Sequence, residues 1–373
     1  MRIALLESRQ GLALRTFRFT RRLLSGITVA GILSVLAFSA SSASAATATA
    51  ENGKGLQIYF VDVEGGQATL FVTPEGKSLL IDTGWPDNNG RDADRIVAAA
   101  KQAGIKQIDF VLLTHYHMDH AGGITQLAAE IPIRTVIDHG ENREPNNDAT
   151  EQMWESYQKL VAKEKLTRII AKPGDTLPIE GMEARVISSD GELIEKPLNG
   201  GGGKNSSCDT AEKRPADQTE NGRSLGVLLT FGKLRILDLG DLNSDKEVQL
   251  ACPVNKLGDV DIYVVSHHGS TTSNSREFLN AIAPRVAIMD NGASKGGAPS
   301  SWEAIKKSPR LEELWQLHFA NEGGAEHNVP DSFIANVSGP DAGHYLKLTA
   351  WPDGNFEVFN SRTKQTVHYA ATR

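Results

Sequence analysis

Residues 115–120 read His-Tyr-His-Met-Asp-His, three imidazoles and a carboxylate in six positions at the end of an apolar run over 108–113. A lone histidine is usually a satisfied core residue, but four metal-ligand side chains packed this tightly have no core explanation. Neutral imidazole and carboxylate together suit zinc and related divalent ions. A turn from strand to helix points His115 and His117 to one side, while Asp119 and His120, at the start of the helix, face a neighbouring point. Two adjacent metal positions follow.

Several elements must hold that turn in place. The chain opens with strands over 56–63 (LQIYFVDV), 68–74 (ATLFVTP) and 78–84 (SLLIDTG), separated by turns at Gly65-Gly66 and Pro74-Glu75-Gly76. Helical spacing over 91–103 ends at Gly104, and the strand over 108–113 runs straight into the histidines. The pattern then predicts helices near 123–130, 151–165 and 275–282 and strands at 134–137, 183–188, 225–230, 234–238, 261–265 and 285–289. Helices at 301–307 and 310–315 follow, then a hairpin, 344–350 with 355–360, turning at Pro352-Asp353-Gly354. Residues 189–223 lack periodicity and are rich in Gly, Asn and charge, as expected of a surface insertion or lid.

H-x-H-x-D-H after a strand, preceded by Leu80-Ile81-Asp82-Thr83-Gly84, resembles the metallo-β-lactamase-fold hydrolases. The resemblance implies an α/β fold, a four-layer αββα sandwich. It continues down the chain: Gly240-Asp241 after a strand looks like the bridging aspartate, and Ser266-His267-His268-Gly269-Ser270 like the segment of the last metal histidine, with either His267 or His268 as ligand. Asp62-Val63-Glu64-Gly65-Gly66-Gln67-Ala68, Asn221-Gly222-Arg223-Ser224-Leu225 and His267-His268-Gly269-Ser270 are most similar to the hydrolase domain of ComEC-type DNA-uptake proteins and its free-standing relatives. Two departures stand out. Ala298 occupies the place of an expected histidine before Pro299, and Glu220-Asn221-Gly222-Arg223 the place where many members carry a further metal histidine.

The resemblance implies two divalent metal ions, zinc by donor type with manganese or iron compatible, held by His115, His117, Asp119, His120, Asp241 and one of the pair His267 and His268. It implies metal-assisted hydrolysis, with Asp119 orienting the water and passing a proton to the leaving group. His139, Glu220 and Asn221 are candidate extra ligands or substrate contacts. Asp82 is expected to accept backbone N–H bonds that shape the histidine loop, and Asp62 to stabilise a turn. Solvent exposure is the expectation for His318 and His327, no chemical role for His344 and His368, and for Trp85 a place in the wall of the site.

Composition is that of an ordinary soluble protein: 373 residues, 40% hydrophobic and 23% charged, which excludes disorder and a polytopic membrane protein. Residues 1–45 carry six Arg and one acid, then an uncharged run from Gly26 to Ser42 and Ala43-Ser44-Ala45, and read as a cleaved export signal. The apolar run is shorter than the ~20 residues of a membrane anchor. A hydrolase domain over 46–373 remains, exported to the periplasm or beyond and without a membrane segment. It keeps 33 basic and 45 acidic residues, a net of −12. That balance disfavours extended nucleic acid as a partner, although Lys204, Lys213, Arg214 and Arg223 offer a local basic patch. A small-molecule or phosphodiester substrate is expected; carboxylic esters, lactones or β-lactams are the alternative, and a non-catalytic, metal-stabilised binding protein the alternative of another class. Cys208 and Cys252 either pair in an oxidising compartment or remain two partly buried thiols.

Overall fold

The computed structural model describes residues 54–372 apart from positions 87, 212–213 and 339–340. Residues 1–45, expected to be an export signal, and Lys213 therefore lie outside the described residues.

Alternation along the strands sets the architecture. In β1 (Leu56–Phe60), Leu56, Ile58 and Phe60 enter one apolar cluster and Tyr59 another. Successive strand side chains point to opposite faces, so β1 must be covered on both sides. The same split recurs in β2 (Thr69–Val72), where Phe71 opposes Leu70 and Val72, and in β3 (Ser78–Ile81), where Leu79 and Ile81 oppose Leu80. Helix α1 (Arg91–Ala103) covers the outer face with Ala93, Ile96, Val97 and Ala100. It ends at Gly104, whose left-handed φ of 81° lets its N–H reach the last carbonyls. Strand β4 (Ile108–Leu112), α2 (Met118–Ala121), α3 (Ile124–Glu130), β5 (Ile133–Asp138), α4 (Asp148–Glu164) and β6 (Thr167–Ile170) continue this half, with β3 to β6 all parallel.

A second mixed sheet follows: β7 (Thr176–Leu177), β8 (Glu183–Ser189), β9 (Glu192–Leu193), β10 (Gly226–Phe231), β11 (Leu234–Asp238), β12 (Ile262–Val264), β13 (Val286–Met289), β14 (Glu313–His318) and β15 (Ile334–Asn336). From β11 to β15 the pairing is parallel. Helices α5 (Ser244–Ala251), α6 (Arg276–Ile282) and α7 (Pro299–Lys306) cover its outer face against Leu237, Tyr263, Ala287 and Met289. The chain then returns to the first sheet through β16 (Leu346–Ala350), β17 (Phe356–Asn360) and β18 (Thr366–Tyr369), with β16 antiparallel to β1. The two inner faces close on each other, Ile58, Leu79, Ile81 and Leu112 against Val227, Leu229, Ile236 and Ile262. Helix, sheet, sheet and helix form the four layers. No helix among the described residues is long and apolar enough to cross a membrane.

One expectation needs correction. Residues 310–315 are not helical: β14 places Trp315 and Leu317 in the inter-sheet cluster and Leu314 in the outer one, a period of two that the acidic Glu312-Glu313 pair disguises. Within the 189–223 stretch, expected as a surface insertion or lid, the described residues form a strap fastened to the body. The Asn205 side chain donates to the carbonyls of Ala251 and Glu277 at 3.3 and 2.8 Å, and Cys208 forms a disulfide with Cys252, Cα atoms 5.7 Å apart. The bond closes a loop spanning 44 positions. Replacing both cysteines by serine is expected to cost about 2–4 kcal/mol of unfolding free energy, checked by urea denaturation of oxidised protein against the variant. Among the described residues of the strap, Arg214 pairs with Glu277 at 3.2 Å, Lys204 lies 3.8 Å from Asp209, and Arg223 donates to the Asp190 carbonyl.

Candidate metal centre

The carboxyl ends of β3 and β4 in one sheet, and of β11, β12 and β13 in the other, deliver their loops to a common point. Asp82 follows β3 in a left-handed conformation, φ 60°. Its Oδ1 accepts the Thr114 N–H (2.8 Å), and its Oδ2 accepts the Thr114 hydroxyl and lies 2.7 Å from His120 Nδ1. That contact turns His120 Nε2 inward, the arrangement by which a carboxylate orients a metal-binding imidazole. From the opposite sheet Gly240, φ 54°, presses on Thr114; a Cβ there would stand 2.7 Å from the Thr114 Cβ, so only glycine lets the following residue, Asp241, reach the histidines.

Asp241 divides the donors into two groups. Around its Oδ1 stand His120 Nε2 at 3.1 Å and His268 Nε2 at 3.4 Å, and both rings lie 3.2 Å from Asp119 Oδ2 and 3.1 Å from each other. Around its Oδ2 stand His267 Nε2 at 3.4 Å and His115 Nε2 at 4.0 Å, with His117 Nδ1 3.0 Å from His115 Nε2. Both histidines of the His267-His268 pair have left-handed backbones, φ 55° and 52°. This conformation is costly for residues bearing a Cβ, and here it aims two successive rings at one carboxylate. The His267 ring is held from behind by Asn243 Oδ1 and the Thr272 hydroxyl, each 3.0 Å from Nδ1.

The donor set fits divalent cations. Asp119, His120, Asp241 and His268 offer ligand atoms within 4.8 Å of one another and are all buried. Asp241 Oδ1 is buried without a hydrogen-bond partner even though two imidazole nitrogens face it. Donors 2.0–2.1 Å from a shared tetrahedral ion stand about 3.3 Å apart, close to the separations found here.

Electrostatics agree with that chemistry. Burial, reinforced by His120 and His117, holds His115 well below the ordinary imidazole range, in its neutral, ligating form. Burial acts the same way on His120, but the carboxylates of Asp241, Asp119 and Asp82 outweigh it and hold that ring well above its usual value. Burial would raise Asp241, yet His120, His267 and His268 keep it well below the carboxylate range.

Other expected residues fall elsewhere. Glu220 is fully buried and its oxygens are taken: Oε1 accepts the Arg143 N–H (2.6 Å), and Oε2 accepts the Tyr116 N–H (3.2 Å) and lies 2.9 Å from His139 Nε2. Glu220 and His139 thus bind each other rather than joining the donor groups. Asn221 is also outside them; its Oδ1 is buried without a partner. Asp62 does more than stabilise a turn: besides the Glu64 N–H it meets Arg95 at 3.1 Å and His318 Nε2 at 2.6 Å. His318 is therefore not solvent-exposed; it is 5% exposed because the end of β14 carries it into the sandwich edge. His327 is half-buried, edge-on to Trp302 with ring centroids 5.4 Å apart.

Two contacts to the centre escaped the sequence. Glu144, in the loop after β5, places Oε2 2.8 Å from His117 Nε2, leaving Nδ1 for the centre. Lys295, in the loop after β13, hydrogen-bonds Asp119 Oδ2. Only the general rule that sites form at the carboxyl ends of parallel strands points to those loops. Glu144→Gln and Asp82→Asn are each expected to weaken metal affinity about 10–100-fold with the fold retained, measured by competition with a chromogenic chelator.

Residues 61–204 match the metallo-beta-lactamase superfamily profile. Over those residues the chain carries the metallo-beta-lactamase superfamily pattern. It is similar to Recombination protein 2 of Haemophilus influenzae, 26% identical over 63% of this chain and 24% of that protein, and to a UPF0173 protein of Pyrococcus abyssi, 23% identical over 68% and 91%. The chain spans about a quarter of the length of the competence-type relatives it matches. Among solved structures it is similar to the metallo-beta-lactamase fold protein YhfI of Bacillus subtilis, 12% identical over 78% of this chain and 98% of that one, with a TM-score of 0.43. Metallo-beta-lactamase superfamily members are mostly metal-dependent hydrolases, and the buried His/Asp cluster has the donor chemistry of that class.

Proposed function

We propose that this protein is an exported, dinuclear metal-dependent hydrolase acting on small phosphodiesters. The observation that carries the reading is Asp241, one carboxylate with two oxygens turned to two separate sets of imidazoles. His115, His117, His267 and Asp241 Oδ2 would hold one ion, with His267 supplying the donor that the Glu220-Asn221 segment lacks. Asp119, His120, His268 and Asp241 Oδ1 would hold the other. Divalent ions held there, zinc by donor type with manganese or iron compatible, supply Lewis-acid polarisation of the substrate and lower the pKa of water. The chain's own part is positional. Asp82 and Glu144 fix the rings of His120 and His117, and Asp119 orients the attacking water and carries its proton toward the leaving group.

Phosphodiester chemistry is supported by the resemblance of the 62–68, 221–225 and 267–270 segments to the DNA-uptake group. The acidic balance of the chain favours a small substrate over an extended polyanion, and it keeps carboxylic esters or lactones as the second reading. Export is supported by the 1–45 segment and by the Cys208–Cys252 disulfide, a bond characteristic of oxidising compartments.

The test is metal analysis of purified protein together with a substrate panel of bis(p-nitrophenyl) phosphate, single-stranded DNA, a lactone and nitrocefin. Two metal equivalents per chain and turnover of bis(p-nitrophenyl) phosphate are expected. Turnover confined to the lactone would move the assignment to the second reading. Absence of metal uptake, or of any turnover with two metals bound, would leave a binding protein.

A further inference from the structure

Lys295 stands where a cation has no structural need to be. Its ammonium hydrogen-bonds Asp119 Oδ2, a member of the buried donor cluster, and donates to the Gly65 carbonyl at 2.8 Å. Among the described residues those are its hydrogen-bond acceptors, and an ammonium has three N–H donors, so one remains for a ligand. The side chain is 37% exposed, and its Nζ lies 5.4 Å from the centre of the Trp85 ring.

The loop that carries it is built to stay in place. Gly65, φ 80°, abuts the partner loop so closely that a Cβ would come within 2.9 Å of both Gly292 N and Lys295 Cβ. At Gly296, φ 77°, a Cβ would lie 2.1 Å from the His268 carbonyl oxygen. The Gly297 N–H donates to that same carbonyl (2.8 Å), the Ala298 N–H to Gly269 (2.9 Å), and the Gly292 N–H closes the turn on Lys295 (2.8 Å). The 291–298 loop is thereby fixed to the His267-His268 segment, and the ammonium to the rim of the metal centre. Its field reaches Asp119, His267 and His268. With cations engaging Asp119, the ammonium would keep the Gly65 carbonyl and have N–H groups free for a ligand over the centre.

We propose that Lys295 is the anion-recognising residue of this centre, donating to a non-bridging oxygen of a phosphodiester whose scissile bond lies over the metal ligands. This rests on the hydrolase reading and sharpens its substrate class: the preferred substrate is anionic beside the reacting bond. A neutral ester gains nothing from this contact. The expected size of the effect is that of one charge-assisted hydrogen bond, roughly 10- to 100-fold in binding.

The experiment compares the metal-loaded full chain with Lys295→Met and Lys295→Arg. Binding of diphenyl phosphate, followed by calorimetry, reads recognition without turnover; KM and kcat are measured for bis(p-nitrophenyl) phosphate, p-nitrophenyl acetate and nitrocefin, and metal content for each protein. Lys295→Met is expected to weaken diphenyl phosphate and raise KM for the phosphodiester about 10- to 100-fold, with KM for p-nitrophenyl acetate changed far less than KM for the phosphodiester and metal content unchanged. Lys295→Arg should restore most of the loss. The proposal is overturned by equal losses on neutral and anionic substrates, by loss of metal from Lys295→Met, by a loss confined to the carboxylate-bearing nitrocefin, or by diphenyl phosphate binding that is absent or indifferent to the substitution. Diphenyl phosphate binding that depends on Lys295 without turnover of any ester would instead uphold the contact and remove the hydrolase reading beneath it.

Discussion

Asp241→Asn is expected to empty the centre and to lower turnover of bis(p-nitrophenyl) phosphate by about 10³-fold or more, the scale of losing a group that holds charge at a reaction centre. The amide keeps the size of the carboxylate, so far-ultraviolet circular dichroism should not change. Its chemistry changes completely. One of the two oxygens facing imidazole nitrogens becomes an NH₂ that cannot ligate, and the negative charge shared by the two donor groups disappears. His117→Ala makes the informative comparison. It removes one donor of the group around Asp241 Oδ2 and leaves Asp119, His120, His268 and Asp241 Oδ1 untouched, so about one metal equivalent should survive while activity is lost. Metal analysis by mass spectrometry distinguishes the two variants. A rate unaffected in either, or full metal content in Asp241→Asn, would remove these residues from the site.

What the sequence made legible is what lies close together in it or recurs as a recognisable segment. His115, His117, Asp119 and His120 are readable because one strand-to-helix turn carries all four. Asp241 and the His267-His268 pair are readable only through resemblance, and resemblance left undecided how two adjacent histidines share the work; the two left-handed backbones aim both rings at Asp241. Glu144 and Lys295 were hidden because nothing local marks them. They stand 27 and 176 positions from the residues they touch, and only the order of the sheets brings their loops together. In the fold, strands with both faces buried and β-branched or aliphatic runs were plain, as in β1 to β4 and β10 to β13. Strand β14 was not, because its acidic start looks like a helix surface, and its end carried His318 from a supposed exposed loop onto Asp62. The cysteines carried no spacing that decides pairing; proximity of the strap to the end of α5 decides it.

Glu220 tests whether a carboxylate at the place of a missing metal histidine is a ligand or a brace. Three donors converge on it: the N–H groups of Tyr116, between the two first histidines, and of Arg143, next to Glu144, and the ring of His139. Both Glu220 oxygens face these donors, and Glu220 is not among the clustered donors around Asp241 Oδ1. Glu220→Gln is therefore expected to leave two metal equivalents bound but to lower unfolding stability by roughly 3 kcal/mol, because an amide cannot serve all three donors and a broken buried pair leaves polar groups unpaired. The pH dependence supplies a second readout. Burial raises the Glu220 pKa, but the His139 ring and the two N–H donors outweigh it and hold the carboxyl below its ordinary 4.5. A depressed folded-state pKa means that the ionised group stabilises the fold above about pH 4.5 and that its contribution is lost as pH falls through the folded value. The stability difference between the wild-type protein and Glu220→Gln should therefore be full at neutral pH and shrink on acidification below about 4.5, as followed by thermal melts of the metal-free proteins. Loss of one metal equivalent with an unchanged melt would instead make Glu220 a ligand.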